Sequence, residues 1–469
     1  MPLVNVVHGD RLPEAPLNIR VPMWRPPAWL VLLFWLVRGL VRVTVLCVRY
    51  WWLTGPTLLV AWAWLRHGPL AVAASVVLVA VLCVAWWRLH RRSWLRFGWY
   101  PAVGRWRRVW VYRRRWASAM ATTGLAVNFG GDKYIPQLLT VRCDRWADRV
   151  TVRMLPGHTP DDWGAAAGRL AYTFRVLAGR AMTGSRPDRV VLVFRRADPL
   201  ADVVPPLPVP AVPDLSALPL GRTDDGDTYR LRLAGTHVLV AGATGAGKGS
   251  VISAILSAVA NGIRTGLVEV WAFDPKGGME LAGAAPLFTR FAYQDPDAMA
   301  GDLDDAVKTM RRRADRLRGV TRQHLPTPQD PAIVVRVDEL AALTAYVGDR
   351  KTRDRIREAL SLLLSQGRAV GVHVVAALQD PRKEILPFRD LFPTRIALRL
   401  TEPEQADLVL GDHARDRGAL CDRIPISQPG VGYAVLEGRP EPVRVRFAYL
   451  TDTDITTLAA GYRRPGGDP

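Results

Sequence analysis

Nine consecutive residues, Gly242, Ala243, Thr244, Gly245, Ala246, Gly247, Lys248, Gly249 and Ser250, have the types and spacing of a phosphate cradle. Glycines let successive backbone N–H groups turn inward around an anion, and a helix starting just behind them adds its positive end. Lys248 would reach the β- and γ-phosphates of a nucleoside triphosphate. The loop departs from the usual pattern at one place. The hydroxyl residue expected directly after the lysine is Gly249, which leaves Ser250 to offer an oxygen to Mg²⁺. Alone, such a loop could be a glycine-rich turn. Asp338 and Glu339 downstream decide for the nucleotide. A carboxylate at a strand tip can hold Mg²⁺ through water, and the next can take a proton from the attacking water. Asp338 is therefore the expected metal ligand, Glu339 the expected general base, and ATP with Mg²⁺ the expected cofactors.

These groups need elements to position them. Residues 236–241 form a short apolar run ahead of the loop, and helical periodicity follows it through Val259. Residues 268–273 and 332–337 read as two further buried strands, the second ending at the carboxylate pair. Arg336 is out of character inside it. Arginines 311, 312, 313, 316 and 318 fall on a helix whose Leu303, Val307, Met310, Ala314 and Leu317 point inward, so the basic run reads as a solvated face.

Several segments, in order and with matching spacing over residues 221–455, resemble the FtsK/SpoIIIE family of DNA translocases. Residues 274–281 (DPKGGMEL) look like its DPK…EL element, and residues 337–343 (VDELAAL) like its Walker B segment. Residues 367–373 (GRAVGVH), 376–379 (AALQ) and 393–399 (PTRIALR) are similar to three more, and residues 418–420 and 443–446 close the match. The resemblance implies a RecA-like core in a hexameric ring, with ATP at subunit interfaces and double-stranded DNA in the channel. By position, Gln379 would sense the γ-phosphate. Arg368 is the first candidate, and Arg395 the second, for a finger reaching a neighbour's ATP. Family motors often end in a winged-helix module that reads DNA sequence; with 19 residues after Leu450, that module is expected to be absent.

The net charge of +20 invites a nucleic-acid reading, but its distribution points first to a membrane. Up to Trp116 there are 17 arginines, no lysine and two acids, a net +15. Residues 68–87 hold 20 residues without a charge, enough at about 1.5 Å per residue to span a bilayer's hydrocarbon core. Residues 50–65 are apolar with tryptophans at both ends. Together they read as a transmembrane helical hairpin (residues 50–87). Residues 28–49 carry Arg38, Arg42 and Arg49 on one helical face. They read as an amphipathic surface helix, with a third span as the competing reading. The basic segment 88–118, with Trp94, Trp99, Trp106, Trp110 and Trp116, suits a cytoplasmic collar at the membrane surface, and the tail 1–27 shares that side. No signal peptide is visible, and the four scattered cysteines suggest neither disulfides nor a metal site.

The expected architecture is α/β: a RecA-like P-loop NTPase core (223–460), a small α/β accessory domain (119–204), a Pro-rich linker (205–222) and the membrane hairpin. The expected protein is a membrane-anchored, multi-pass DNA pump of the bacterial inner membrane with a cytoplasmic motor. Its short chain and arginine-over-lysine bias favour transfer of plasmid or integrative-element DNA over chromosome segregation. The alternative is an ATPase of a protein secretion system, which usually has several ATPase domains in tandem where one P-loop is seen here.

Overall fold

The computed structural model describes residues 27, 29, 32–40, 51–129, 132–379, 381, 389–436 and 438–464, in two compact units, Met1–Gly98 and Trp99–Pro469. In the first unit a helix runs over Trp51–Leu89 and is broken at Gly68, whose φ of 75° and ψ of 178° are not helical. Among the described residues one helix is long and apolar enough to cross a membrane. Its window Val72–Leu89 has a mean hydropathy of 2.2, and none of it is buried by protein. Leucines and valines exposed to this degree are stable only in lipid or against a partner. Residues 32–40 are helical with Phe34, Trp35 and Leu36 exposed, and the Arg38 guanidinium lies over the Trp35 ring at 5.5 Å. Arg42, Arg49 and the tail 1–26 lie outside the described residues.

In the second unit a helical run reaches Thr122 and leads into the ribbon β1 (Val127–Phe129) and β2 (Asp132–Tyr134). An antiparallel sheet follows, built from β3 (Gln137–Cys143), β4 (Ala147–Arg153), β5 (Ala178–Thr183) and β6 (Arg189–Arg195), in the order β3-β4-β6-β5. Helix Pro160–Phe174 starts on a Thr159 capping box and covers one face with Trp163, Leu170 and Phe174. The end of the basic segment joins this core. Tyr112 and Trp116 are buried against Phe174, and the Trp116 indole N–H donates to Pro136 O at 2.7 Å. Trp116 is thus a core residue rather than part of a membrane collar: an i, i+4 aromatic pair on a helix can cap a sheet as readily as it can face lipid. Beneath them Asp148, fully buried, accepts from Tyr112 Oη (2.7 Å), Arg196 (2.5 Å) and Arg107.

The larger sheet, of the domain expected to be the motor, has ten strands. They are β7 (Leu218–Thr223), β8 (Thr228–Leu231), β9 (Val238–Ala241), β10 (Val268–Phe273), β11 (Arg290–Ala292), β12 (Ala332–Val337), β13 (Val372–Leu378), β14 (Thr394–Ala397), β15 (Val431–Leu436) and β16 (Arg439–Phe447). Their order is β11-β10-β12-β13-β9-β14-β15-β16-β7-β8, parallel from β11 to β14 and antiparallel beyond. The parallel strands are apolar on both faces because helices cover both. Helix Lys248–Arg264 packs on one, and helices Pro296–Leu317 and Arg350–Gln366 on the other.

The Pro-rich segment is strapped to this core instead of bridging open space. Leu207, Val209 and Leu215 pack on it, and Asn261 donates to Ala211 O. Prolines suit such a strap because they have no N–H to leave unpaired. Arginines 444 and 446 fasten the chain between accessory sheet and motor: Arg444 makes a bidentate pair with Asp198 at 3.0 Å, and Arg446 donates to Leu200 O and Ala201 O. Within the basic run, Arg313 is buried, donating to Val370 O (3.1 Å) and pairing with Asp330 at 2.7 Å, so it is structural and not part of a solvated face. Two buried histidines tie β9 to β13. Val374 N–H donates to His237 Nδ1 (3.0 Å), and His373 Nδ1 bonds Thr236 O (3.1 Å).

Candidate nucleotide site

The C-terminal ends of β9, β12 and β13 lie side by side, and the sequence puts a reactive group at each. β9 is wholly buried and delivers the chain into the glycine loop. Gly247 caps helix Lys248–Arg264 with φ 95°, a conformation that L side chains rarely adopt. A Cβ there would stand 2.3 Å from Gly430 N, whose N–H donates to Ala246 O at 2.9 Å. The loop is therefore locked against the turn before β15. No side chain caps the helix start, which leaves its first N–H groups for an anion.

Lys248 is folded back on the loop, its ammonium donating to Gly242 O at 2.8 Å and Ala243 O at 3.4 Å. Burial pushes its pKa below the usual lysine range; Glu339 and Asp338 pull it back up, and Lys276 pushes it further down. A Cβ built on Gly249 would meet nothing within 4 Å, so the position next to the lysine opens on free space. Ser250 lies beside Gly430, its Oγ 3.8 Å from a Cβ built there.

Asp338 and Glu339 are both buried at the tip of β12. Burial raises the Asp338 carboxyl, and Arg336 counters it with Nη2 3.9 Å from Oδ1. This accounts for the arginine inside a buried strand: it is the counter-charge to an acidic corner formed by Asp338, Asp274 and Glu280. Burial pushes its own pKa down to about 10, and those three acids pull it upward. Glu339 is gripped from two sides, by Lys276 Nζ at 3.2 Å from Oε2 and by the backbone N–H of Gln379 at 3.3 Å from Oε1. Gln379 is brought to the site in this way, and Leu378 O accepts from Gly242 N–H at 3.1 Å. Two residues carry site contacts that sequence reasoning gave no role. Lys276 pairs with Glu339. Arg399, just past β14, donates to Thr244 O in the loop at 2.8 Å. The signal for Lys276 was its scarcity: the chain has six lysines, and two of them meet here.

Arg368 and Arg395 are not brought to this loop. Arg368 is exposed in the turn Gly367–Val370 at the start of β13, whose seven residues span about 23 Å before Gln379. Arg395 lies in β14 with Asp390 at 4.0 Å. The two share one cleft with Arg417 and Arg439, and β14 runs parallel beside β9 with Arg395 paired to Leu239. Among the described residues no cluster of three or more His, Cys, Asp or Glu could cage a metal. A Mg²⁺ held mainly by phosphates and water needs only one or two carboxylates, so the residues present fit Mg²⁺-ATP.

Residues 210–326 match the FtsK/SpoIIIE family model. DNA translocase FtsK of Staphylococcus aureus is 24% identical over 256 residues, 50% of this chain and 31% of that protein. The chain thus spans about a third of the length of such relatives. Transfer protein TraSA of Streptomyces ambofaciens is 29% identical over 345 residues, 68% of this chain and 79% of TraSA. Among solved structures, the pCW3 conjugation coupling protein TcpA, a monomer form with ATPγS, has a TM-score of 0.50 at 18% identity. It covers 74% of this chain and 98% of its own. At that identity the likeness speaks for the fold.

Proposed function

We propose that the chain, which matches the FtsK/SpoIIIE family model over residues 210–326, is a member of that family and a membrane-anchored, ATP-driven pump for double-stranded DNA that acts in conjugative transfer of plasmid or integrative-element DNA. The observation that carries this reading is the convergence of Lys248, Asp338, Glu339 and Gln379 at adjacent strand ends. The role in transfer rests on TraSA, a transfer protein of which the chain covers 79%.

Bound Mg²⁺-ATP supplies the phosphoanhydride bond and the metal's charge; the protein positions and polarises. Lys248 exchanges its two loop carbonyls for phosphate oxygens, trading neutral acceptors for charged ones that bind about twice as strongly. The loop N–H groups and the uncapped helix end hold the same phosphates. Asp338 would hold the Mg²⁺, with no hydroxyl side chain at Gly249 to assist it. Glu339, oriented by the Gln379 amide and Lys276, accepts the proton of the attacking water. Arg368, or Arg395 in the same cleft, serves the neighbouring subunit's ATP in a hexameric ring, a role that leaves its own subunit's loop to Lys248, Lys276 and Arg399. The helix window Val72–Leu89 anchors the chain. The stretch before Gly68 completes a hairpin, so both ends face the cytoplasm.

The test is the ATPase rate of the full chain in lipid nanodiscs, with and without duplex DNA. Turnover is expected to rise with duplex and to vanish in Lys248→Ala and Glu339→Gln, the latter still binding ATP. A rate indifferent to DNA would remove DNA from the proposal.

A further inference from the structure

The accessory sheet leaves one face open. Val150, Val152, Val190, Leu192 and Phe194 point to the core side, so the residues between them point away. Strand register aligns those outward residues in rows. Arg142 pairs with Arg149, Arg149 with Val193, and Val193 with Arg180. The next rows hold Thr140, Thr151, Val191 and Met182, then Arg153 beside Arg189. Among the described residues no helix packs over this face; Pro160–Phe174 and the helical run before Thr122 both belong to the other side.

Counting Arg195 at the motor end, six arginines stand on one face of the sheet. Carboxylates meet four of them: Asp144 pairs with Arg149, Asp188 with Arg153 (3.4 Å) and Arg189 (3.9 Å), and Asp224 with Arg195 (2.6 Å). Arg142 and Arg180 are exposed and have no carboxylate within ion-pair distance among the described residues. Guanidiniums stay charged at any working pH, so the surface is a fixed patch of positive charge with threonine hydroxyls between its rows.

We propose that this face holds the phosphate backbone of duplex DNA outside the motor, an inference that rests on the DNA-pump reading above. The composition of the face chooses the partner. Its paired rows carry no Trp, Tyr or Phe, so they offer neither the stacking platform that single strands need nor the aromatic anchors of a membrane interface. Arginine and threonine without base-reading geometry suit sequence-indifferent phosphate contact. The face also answers a problem of charge. Residues 117–469 carry a net of only +5, so affinity for DNA requires positive charge gathered in one place.

The experiment measures binding of a labelled random-sequence duplex to the full chain in phosphatidylcholine nanodiscs across a salt titration. The triple variant Arg142→Gln/Arg153→Gln/Arg180→Gln should weaken binding and flatten the log–log salt slope by up to about 2.7, at about 0.9 per lost phosphate contact. The triple Lys variant should restore both, and neither should alter ATP affinity or melting temperature, which separates lost contacts from misfolding. Wild-type binding that the Gln variant leaves unchanged overturns this surface and spares the pump. A wild type that binds no duplex overturns both. A Gln variant that keeps its DNA affinity but loses binding to phosphatidylglycerol-containing vesicles also overturns it, in favour of a lipid surface.

Discussion

Gly249 is the sharpest place to perturb the nucleotide site. It stands next to Lys248, where a hydroxyl would touch Mg²⁺, and it has ordinary backbone angles with nothing within 4 Å of a built Cβ. Gly249→Ser should therefore fit without strain. Replacing glycine by serine in a helix adds up to about 0.5 kcal/mol of stability. A hydroxyl placed on the metal replaces a water. Taking about 1.5 kcal/mol for one contact to a charged group gives roughly a tenfold gain in affinity. The assay is titration with a fluorescent ATP analogue, in Mg²⁺ and in EDTA. Gly249→Ser should bind up to about tenfold tighter in Mg²⁺ and no differently in EDTA. Ser250→Ala should bind as the parent does, because the Ser250 side chain packs beside Gly430. A Ser250→Ala variant that loses its Mg²⁺ dependence, or a Gly249→Ser variant that binds more weakly in Mg²⁺, would refute the assignment.

Arg368→Ala should bind ATP normally yet lose DNA-stimulated turnover. Mixed with Glu339→Gln subunits it should regain part of that turnover at shared interfaces; no recovery at any ratio, with assembly confirmed, moves the role to Arg395. Burial lowers His237 to about 3 and His373 to about 4, so both are neutral in the folded protein at neutral pH. Their contribution is full above about pH 6.5, where the unfolded chain is also neutral, and is lost as the pH falls toward those values, at about 1.4 kcal/mol per unit for each histidine. Urea midpoints should therefore fall between pH 6.5 and 5, and less steeply in His373→Asn; a flat profile would contradict the burial. Reporter fusions at residues 20 and 120 should report the same side of the membrane, and opposite sides would mean that residues 28–49 also cross it.

The candidate nucleotide site was legible because its chemistry is local. A glycine loop between an apolar strand and a helix, and two acids at a strand tip, are patterns of adjacent residues; β10 and β12 begin and end where periodicity put them. Long-range contacts were not legible. Trp116 looked interfacial because its helix is rich in arginine, but its partner Phe174 is 58 residues away. Residues 205–219 looked like a spacer because six prolines disfavour regular structure, yet prolines do not forbid packing, and Pro219 itself lies in β7. Arg336 made no sense in a strand until Asp274 and Glu280 were seen to gather beside Asp338. Lys276 was noted as part of a motif, but only the folded chain carries it to Glu339.

The central claim is movement along duplex DNA, and strand displacement tests it most directly. A triplex-forming oligonucleotide is annealed to a duplex, and its release by the full chain in nanodiscs is followed with ATP. The account predicts ATP-dependent release by the wild type and none by Glu339→Gln, which binds ATP without turning it over. ATP-dependent turnover with no release, on any duplex length and at low salt, would contradict it.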